Sequence, residues 1–303
     1  MTCVHCSIDE RHANPLFELF DGGDSLFLSS YRDVEAEKTV VQVFVPDEDG
    51  SYAPPEKVAA ARDALVAAGR LLGLDFATET VTFPDEDWKL SYRRHFKTDS
   101  ISPRIAVVPA WEAAEFKPLF PGQRAIVMDP GLAFGTGKHE TTRTCLEFMD
   151  ALAAEDRGRS FLDVGCGSGI LAVAASLLGF APVRGFDLDP EAVEVARETA
   201  AANGVDVEFF RGDLSGVMPG NPSITPARVV AANVLGPVLA KFAPQISAMV
   251  ERAPDARLVL SGILAKDYGE VADAFAAQGF REISSKTAGE WKTGLFVPDS
   301  SAS

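Results

Sequence analysis

The stretch Phe161-Leu-Asp-Val-Gly-Cys-Gly-Ser-Gly169 decides the fold of this chain. It opens on an apolar run, which predicts a short buried strand. Glycines follow at alternate positions, Gly165, Gly167 and Gly169, and the apolar segment 170–178 after them predicts a buried helix. Glycines between a strand and a helix allow a tight turn and let a ligand contact bare backbone. The free N–H groups at the helix start then face that ligand.

The next predicted strand, 181–187, ends in Asp187, at a distance from the glycines that suits a nucleoside-binding βαβ unit. A carboxylate there accepts hydrogen bonds from ribose hydroxyls, which fits NAD as well as S-adenosylmethionine. Asp163 favours S-adenosylmethionine, because a carboxylate beside the loop suits the ammonium of a methionine moiety and repels a pyrophosphate. The sequence therefore predicts an S-adenosylmethionine site, with a dinucleotide site or a turn without a ligand as the alternatives.

Predicted strands and helices alternate from residue 161 to 279, and a hairpin closes the pattern near Trp291. This alternation predicts an α/β domain with a mostly parallel, seven-stranded, Rossmann-like sheet covered by helices on both faces. Ligands of such sheets collect at the carboxyl ends of the strands. Gly165, Asp187, Asp213 and Asn233 all fall at such ends, and Asp213 is predicted to reach the adenine amino group.

A second glycine-rich loop, 129–142, precedes the first strand of this pattern and runs into a predicted helix. Phe134 and Gly135 lie in the loop, and Thr142 lies in the first turn of the helix, where a hydroxyl can bind a ligand. We expect the loop to fold over the cofactor as a lid. The alternative is a linker turn with a helix cap.

The N-terminal part differs in character. Residues 14–83 predict the order strand, strand, helix, strand, which resembles a ferredoxin-like α+β unit whose first strand is weak or missing. The predicted domains are therefore a small α+β substrate-recognition domain at 1–84, a connector at 85–124 and a methyltransferase-like domain at 125–303. Cys3 and Cys6 have a metal-ligand spacing, but a zinc site needs four ligands, and we expect a frayed terminus and no metal.

Composition limits the partners and the compartment. The formal net charge of −16 argues against direct contact with nucleic acid and favours a basic protein partner. The sequence has no run of eighteen apolar residues, and its first residues lack a basic-then-apolar signal pattern, so we expect no membrane span. Four cysteines in 303 residues do not form a disulfide framework, which predicts a reducing, cytoplasmic location.

Several motifs resemble the bacterial ribosomal protein L11 methyltransferases, the PrmA family. The resemblance covers about residues 85–295 and rests on the stretches 129–142, 163–171, 187–190, 232–235 and 261–264. It implies a class I methyltransferase fold, S-adenosylmethionine as donor, and protein amino groups as acceptors: lysine side chains and the α-amine of a large-subunit ribosomal protein. Carried over by motif, the family's cofactor contacts fall on Thr142, Gly165, Asp187 and Asn233.

Asn233 is the predicted catalytic residue, because its side-chain oxygen and nearby backbone carbonyls are placed to orient the lone pair of an acceptor amine. Its alternative role is that of a hydrogen bonder at the end of a strand. A protein-lysine methyltransferase with another acceptor, a small-molecule methyltransferase and a non-catalytic binding module share the same motifs and stay open.

Overall fold

A computed structural model describes residues 2–13, 16, 20, 27–33, 38–45, 53–82, 96–129, 139–156, 158–216 and 224–299; for 27–33 it describes the backbone alone. The chain forms two compact units, Met1–His95 and Phe96–Ser303. The predicted connector, 85–124, therefore contributes its residues from Phe96 onward to the second unit.

The first unit contains strands β1 (Thr2–Ile8), β2 (Phe27–Asp33), β3 (Lys38–Val45) and β4 (Thr78–Thr82), with helix α1 (Pro55–Leu71) between β3 and β4. The four strands form one antiparallel sheet in the order β2-β3-β1-β4. Alternate residues of β1 and β3 face α1, and their apolar side chains pack with Ala61 and Leu65 of the helix. This is the predicted ferredoxin-like arrangement.

The prediction of a frayed N-terminus was wrong. Residues 2–8 form the strand β1, which pairs with both β3 and β4, so it supplies the first strand that the sequence pattern suggested was weak or missing. Val4, Cys6 and Ile8 alternate on its core face, and cysteine behaves there as a small apolar residue. Cys3 and Cys6 are both buried. Their odd spacing places them on opposite faces of the sheet, so they cannot share a metal ion.

The second unit opens with a small sheet of strands β5 (Asp99–Ser100), β6 (Ile105–Pro109) and β7 (Arg124–Met128). Helix α2 (Glu140–Glu155) follows. The elements after it are, in chain order, β8 (Phe161–Val164), α3 (Ile170–Leu178), β9 (Val183–Asp187), α4 (Pro190–Ala202), β10 (Glu208–Arg211), β11 (Val229–Asn233), α5 (Gly236–Lys241), α6 (Ala243–Ala248), β12 (Arg257–Leu264), α7 (Tyr268–Ala276), β13 (Phe280–Ala288) and β14 (Trp291–Pro298).

Strands β8 to β14 form the predicted seven-stranded sheet, in the order β10-β9-β8-β11-β12-β14-β13. The first five strands of this order are parallel, and the closing hairpin β13–β14 pairs antiparallel with β12. Helices α2, α3 and α4 pack on one face and α5, α6 and α7 on the other, which gives one apolar core on each side. The class I methyltransferase architecture predicted from the sequence is confirmed.

The chain reverses its direction across the sheet between β8 and β11. It moves outward from β8 to β9 and β10, and then returns to place β11 on the other side of β8. In open α/β sheets such a switch point leaves a crevice at the carboxyl ends of the two strands. Gly165 follows β8 and Asn233 ends β11, so both lie at this crevice.

Candidate functional site

A cavity of about 900 Å³ lies at the carboxyl ends of β8 to β11. Four of the predicted site residues besides Asn233 line it: Gly165, Gly167, Asp187 and Asp213. Its other walls are formed by the first turn of α2, the start of α5, the bend in β12 and the hairpin residue Trp291; they include His139, Thr141, Val234, Leu235, Gly262 and Trp291.

The glycine loop lines the cavity with Gly165 and Gly167. Gly165 and Gly167 have φ values of +70° and +50°, a region that side chains rarely adopt. A Cβ on Gly165 would also lie 2.6 Å from Cγ1 of Val234. The amides of the loop are already used, because Gly165 donates to the carbonyl of Phe186 and Gly167 to the carboxylate of Asp187. The loop therefore has a set shape before any ligand binds.

Asp187 is held in place by two backbone amides. Its Oδ2 accepts from the N–H of Gly167 at 2.9 Å, and its Oδ1 accepts from the N–H of Asp189 at 3.1 Å. Asp189 in turn caps α4 by accepting from the N–H of Glu191 at 2.8 Å. Each oxygen of Asp187 keeps a further lone pair for a ligand hydroxyl, so a fixed carboxylate faces the cavity at the end of β9.

Asp213 lies at the exposed rim, just after β10. Its carboxylate accepts from the hydroxyl of Ser215 at 2.6 Å and from the Ser215 N–H at 2.8 Å. These two hydrogen bonds, the hydroxyl's being the larger effect, lower the pKa of Asp213 below its usual value. The group is therefore an anionic hydrogen-bond acceptor at neutral pH, and an adenine amino group can donate to it.

Asn233 and the first turn of α2 meet at the opposite wall. The Nδ2 of Asn233 donates to Oγ1 of Thr142 at 3.3 Å. That hydrogen bond uses one of the two N–H groups of the amide, and Oδ1 is the acceptor that Asn233 offers to a ligand in the cavity.

His139 caps α2 and packs against Trp291. Its Nδ1 lies 2.7 Å from Oγ1 of Thr141, and its ring meets Trp291 edge-on at a centroid distance of 5.1 Å. Burial lowers the pKa of His139, although Glu140 and Glu290 oppose that shift. A neutral ring suits the cap, since Nδ1 accepts from the Thr141 amide there.

The structure places three other predicted cofactor contacts behind the cavity wall. Thr142 is buried and supports Asn233. Gly169 begins α3 at a φ of +76°, where a Cβ would lie 2.9 Å from the Cβ of Ala196, so it allows close packing of α3 against α4. Asp163 is only 1% exposed and faces the α3 layer. Phe134 and Gly135 lie outside the described residues.

The position of Asp163 differs most from the prediction, which put its carboxylate beside the cofactor ammonium. Its Oδ2 accepts from the N–H of Ala172 at 3.2 Å, and its Oδ1 has no hydrogen-bond partner among the described residues. Burial raises the pKa of Asp163 to about 7, and the nearby charge of Asp187 adds to that effect. The residue is a buried acid at the base of the glycine loop.

Sequence reasoning missed the contributions of Val234, Gly262 and Trp291 to the cavity. The motif 261–264 is visible in the sequence, but its role follows only from the register that sets β12 beside β11. The sequence places Trp291 in a closing hairpin, and only the packing of that hairpin brings it to His139.

The side chains present fit S-adenosylmethionine. Asp187 would hold the ribose hydroxyls, and the apolar side chains of Leu188 and Leu214 lie beside Asp213, where they would flank an adenine. The methionine moiety would lie against the backbone of Gly165 and Gly167, which line the same cavity. No cluster of histidine, cysteine, aspartate or glutamate suited to a metal ion occurs in the described part of the chain.

Comparison with known proteins agrees with this geometry. The family model described as "Ribosomal protein L11 methyltransferase (PrmA)" matches residues 29–296. A relative of that name from Geobacter metallireducens is 39% identical over 98% of this chain and 96% of its own length. Another from Azotobacter vinelandii is 44% identical over 70% of each chain.

A solved structure shares the fold. The ribosomal protein L11 methylase from Lactobacillus delbrueckii subsp. bulgaricus is 30% identical, with a TM-score of 0.60, and its whole chain matches 67% of this one. The family model covers most of the chain, and the Geobacter relative aligns with nearly all of it. Both similarities extend further along the sequence than a shared fold alone would explain. The chain belongs to the ribosomal protein L11 methyltransferase (PrmA) family and is an S-adenosylmethionine-dependent methyltransferase of class I fold.

Proposed function

We propose that this enzyme transfers methyl groups to amino groups of ribosomal protein L11: lysine side chains and the α-amine. The names of the Geobacter and Azotobacter relatives support this acceptor, and the Geobacter relative aligns along nearly the whole chain, including the N-terminal unit. A formal net charge of −16 also suits a basic protein partner and disfavours direct nucleic-acid contact.

The observation that carries the proposal is the pairing of Asn233 with Thr142 at the cavity wall. An amine must be neutral to attack a methyl group, and a lysine of pKa near 10.4 loses its proton at pH 7.4 only at a cost of about 4 kcal/mol. Apolar walls reduce that cost by disfavouring the charged amine. Trp291, Leu235 and Phe242 supply such walls on the Asn233 side of the cavity.

Asn233 and the backbone after it then orient the neutral amine. The Oδ1 of Asn233 and the carbonyl of Val234 accept the two N–H groups, which leaves the nitrogen lone pair directed away from both acceptors. S-adenosylmethionine, when bound, supplies a methyl group already activated by its sulfonium. The protein's own contribution is to exclude water from the amine, bind it and orient its lone pair.

The first unit is the proposed site of acceptor recognition. It lacks a catalytic constellation among its described residues, and the cavity is built by residues 139–291 of the second unit. We assign recognition to 1–84, the connector to 85–124 and transfer to 125–303, as the sequence pattern indicates.

The proposed compartment is the cytoplasm, where ribosomal proteins are made. All four cysteines are free and buried, as befits a reducing compartment. Within the described ranges, every helix is too short or too polar to span a bilayer.

Mass mapping tests the acceptor. The purified chain is incubated with labelled S-adenosylmethionine and purified ribosomal protein L11, and in parallel with complete and ribosome-depleted lysates. We expect label on lysine-containing or N-terminal peptides of ribosomal protein L11. Label confined to another protein, or to a small molecule in both lysates, would replace this acceptor by one of the alternative classes.

A further inference from the structure

Strand β12 breaks its pairing next to the site. Its residues pair regularly with β14 up to Leu260 and again from Ile263, and the register shifts between those two positions. Ser261 and Gly262 occupy the break. On its other side β12 stays in register with β11, where Ser261 lies beside Asn233. The irregularity therefore lies on the strand that borders the proposed catalytic residue.

Gly262 brings two backbones into close contact. Its φ is +80°, and a Cβ at this position would lie 2.4 Å from the carbonyl oxygen of Val234 and 2.8 Å from the carbonyl carbon. The atoms in the way are backbone, which cannot rotate aside as the end of a side chain can. From the opposite direction, Gly165 leaves room for Cγ1 of Val234. Two glycines thus enclose Val234 and set the position of its peptide group.

Ser261 fixes the neighbouring wall. Its side chain is fully buried, and its Oγ donates to the carbonyl of Thr141 at 3.3 Å. The same oxygen lies 2.7 Å from Oγ1 of Thr293, which must donate to it. Thr141 lies in the first turn of α2, next to the Thr142 that holds Asn233. Ser261 therefore ties α2 to the sheet at the turn on which Asn233 depends.

We propose that the Ser261–Gly262 bulge is a positioning element for the acceptor amine, a role that rests on the proposed amine acceptor. Gly262 acts through the carbonyl of Val234, and Ser261 acts through the first turn of α2 and so through Asn233. The bulge sets the positions of the two oxygens that accept hydrogen bonds from the amine. Asp187 and Asp213 lie on the other side of β8 and hold the methyl donor.

The test of Gly262 is Gly262→Ala against Gly204→Ala. Gly204 has a φ of +62°, and a Cβ added there would have nothing within 4 Å, so its substitution gives backbone strain without a clash and away from the cavity. We expect both variants to lose Tm through backbone strain, and Gly262→Ala to lose more, because only its Cβ also meets the backbone of Val234. Gly262→Ala should lower kcat by about 10-fold to 100-fold, as a small misplacement of reacting groups does. Its Kd for S-adenosylhomocysteine should stay within about threefold of wild type, and Gly204→Ala should keep wild-type kcat.

Ser261→Ala against Ser247→Ala gives a second comparison that adds no side-chain volume. Ser247 is also buried, but its hydroxyl has no hydrogen-bond partner in the described structure. We expect Ser261→Ala to lower kcat about 10-fold with little change in donor Kd, and Ser247→Ala to leave kcat unchanged. This pair decides the question if Gly262→Ala does not fold.

A crystal structure of Gly262→Ala separates this inference from the proposed acceptor. If the wild-type enzyme does not methylate ribosomal protein L11, the proposed acceptor is wrong. The position of the Val234 carbonyl in the variant then tests the role of the bulge independently of the acceptor. A shifted carbonyl is expected. A carbonyl in its wild-type place, or wild-type kcat in both Gly262→Ala and Ser261→Ala, would overturn the proposal.

Discussion

The side-chain amide of Asn233 donates a hydrogen bond to Oγ1 of Thr142 over 3.3 Å, although the two residues are 91 positions apart in sequence. Asn233 ends β11 and Thr142 lies in the first turn of α2, so this contact joins the sheet to the helix that follows the second glycine-rich loop. It also restrains the rotation of the amide, whose Oδ1 is its acceptor. The amide is oriented before the substrates bind, which is what pre-organised catalysis requires.

Replacing Asn233 by Ala removes one of the two acceptor oxygens proposed for the amine. We expect kcat for methyl transfer to fall by about 100-fold, with donor Kd changed by less than about threefold. Single-turnover kinetics and calorimetry with S-adenosylhomocysteine check the two quantities. Unchanged turnover would remove Asn233 from the mechanism and leave it as a strand-end hydrogen bonder.

Replacing Thr142 by Val keeps the shape of the side chain and removes the hydroxyl that orients Asn233. We expect a smaller loss of kcat, about 3-fold to 10-fold, because the amide stays but is free to rotate. Thr144→Val is the matched control, since Thr144 is also buried in α2 and donates only to the carbonyl of Glu140. Equal effects of the two substitutions would show that helix stability, and not amide orientation, is responsible.

Asp187→Ala removes a carboxylate that two backbone amides hold toward the donor. Hydrogen bonds to charged groups contribute about 1.5–3 kcal/mol, so we expect donor Kd to rise by at least about 10-fold. Asp206→Ala removes an exposed acid that does not line the cavity and should leave the Kd unchanged. Donor affinity that is insensitive to Asp187 would place the ribose elsewhere.

Asp163→Asn tests the buried acid. Its pKa is about 7 in the folded chain, chiefly through burial, and near 4 when unfolded. Between those values the folded state binds more protons, so this group's contribution to stability is present below about pH 4 and lost as pH rises through about 7. As the pH rises from about 4 to about 7, the unfolding free energy of the wild type should fall by on the order of 2–4 kcal/mol relative to that of Asp163→Asn.

Urea denaturation of both proteins at pH 5 and pH 8 measures this difference. A stability difference that does not change with pH would mean that the carboxyl group is solvated. Calorimetry of the same variant tests the predicted contact between Asp163 and the cofactor ammonium. If that contact exists, Asp163→Asn should bind S-adenosylmethionine more weakly than wild type.

The four cysteines should react slowly in the native protein. Burial raises the pKa of Cys3 and Cys6 to about 11 and that of Cys145 to about 12, so few thiolates exist at pH 8. We expect a thiol reagent to label four groups in denaturant and almost none in native protein over the same time. Metal analysis should find no stoichiometric zinc. Rapid native labelling of two thiols, or bound zinc, would contradict the burial of Cys3 and Cys6 on opposite faces of β1.

Much of this site follows from the sequence, because the glycine loop and the strand ends are local features. The turn after β8, the acid that ends β9 and the asparagine that ends β11 were placed correctly relative to the sheet, since carboxyl ends of parallel strands meet at one edge. The alternation of strands and helices was sufficient to predict the α/β fold of the second unit.

The direction of a side chain was harder to predict. In β8, Leu162 and Val164 face one core, while Phe161 and Asp163 face the other. Sequence spacing shows which residues of a strand share a face, but not which face borders the cavity. We therefore predicted that Asp163 faces the ligand, whereas its side chain lies behind the loop. Likewise, the strand at residues 2–8 is stabilised by pairing with β3 and β4, which local sequence does not reveal.

The central claim is that the crevice between β8 and β11 binds a sulfonium nucleoside, with Asp187 holding its ribose. Calorimetric titration of the full-length chain with S-adenosylmethionine, S-adenosylhomocysteine and NAD tests this claim most directly. We predict one site that binds both of the first two ligands, that is weakened in Asp187→Ala, and that shows no heat with NAD. Absence of heat with both S-adenosyl ligands, or saturable binding of NAD alone, would contradict it.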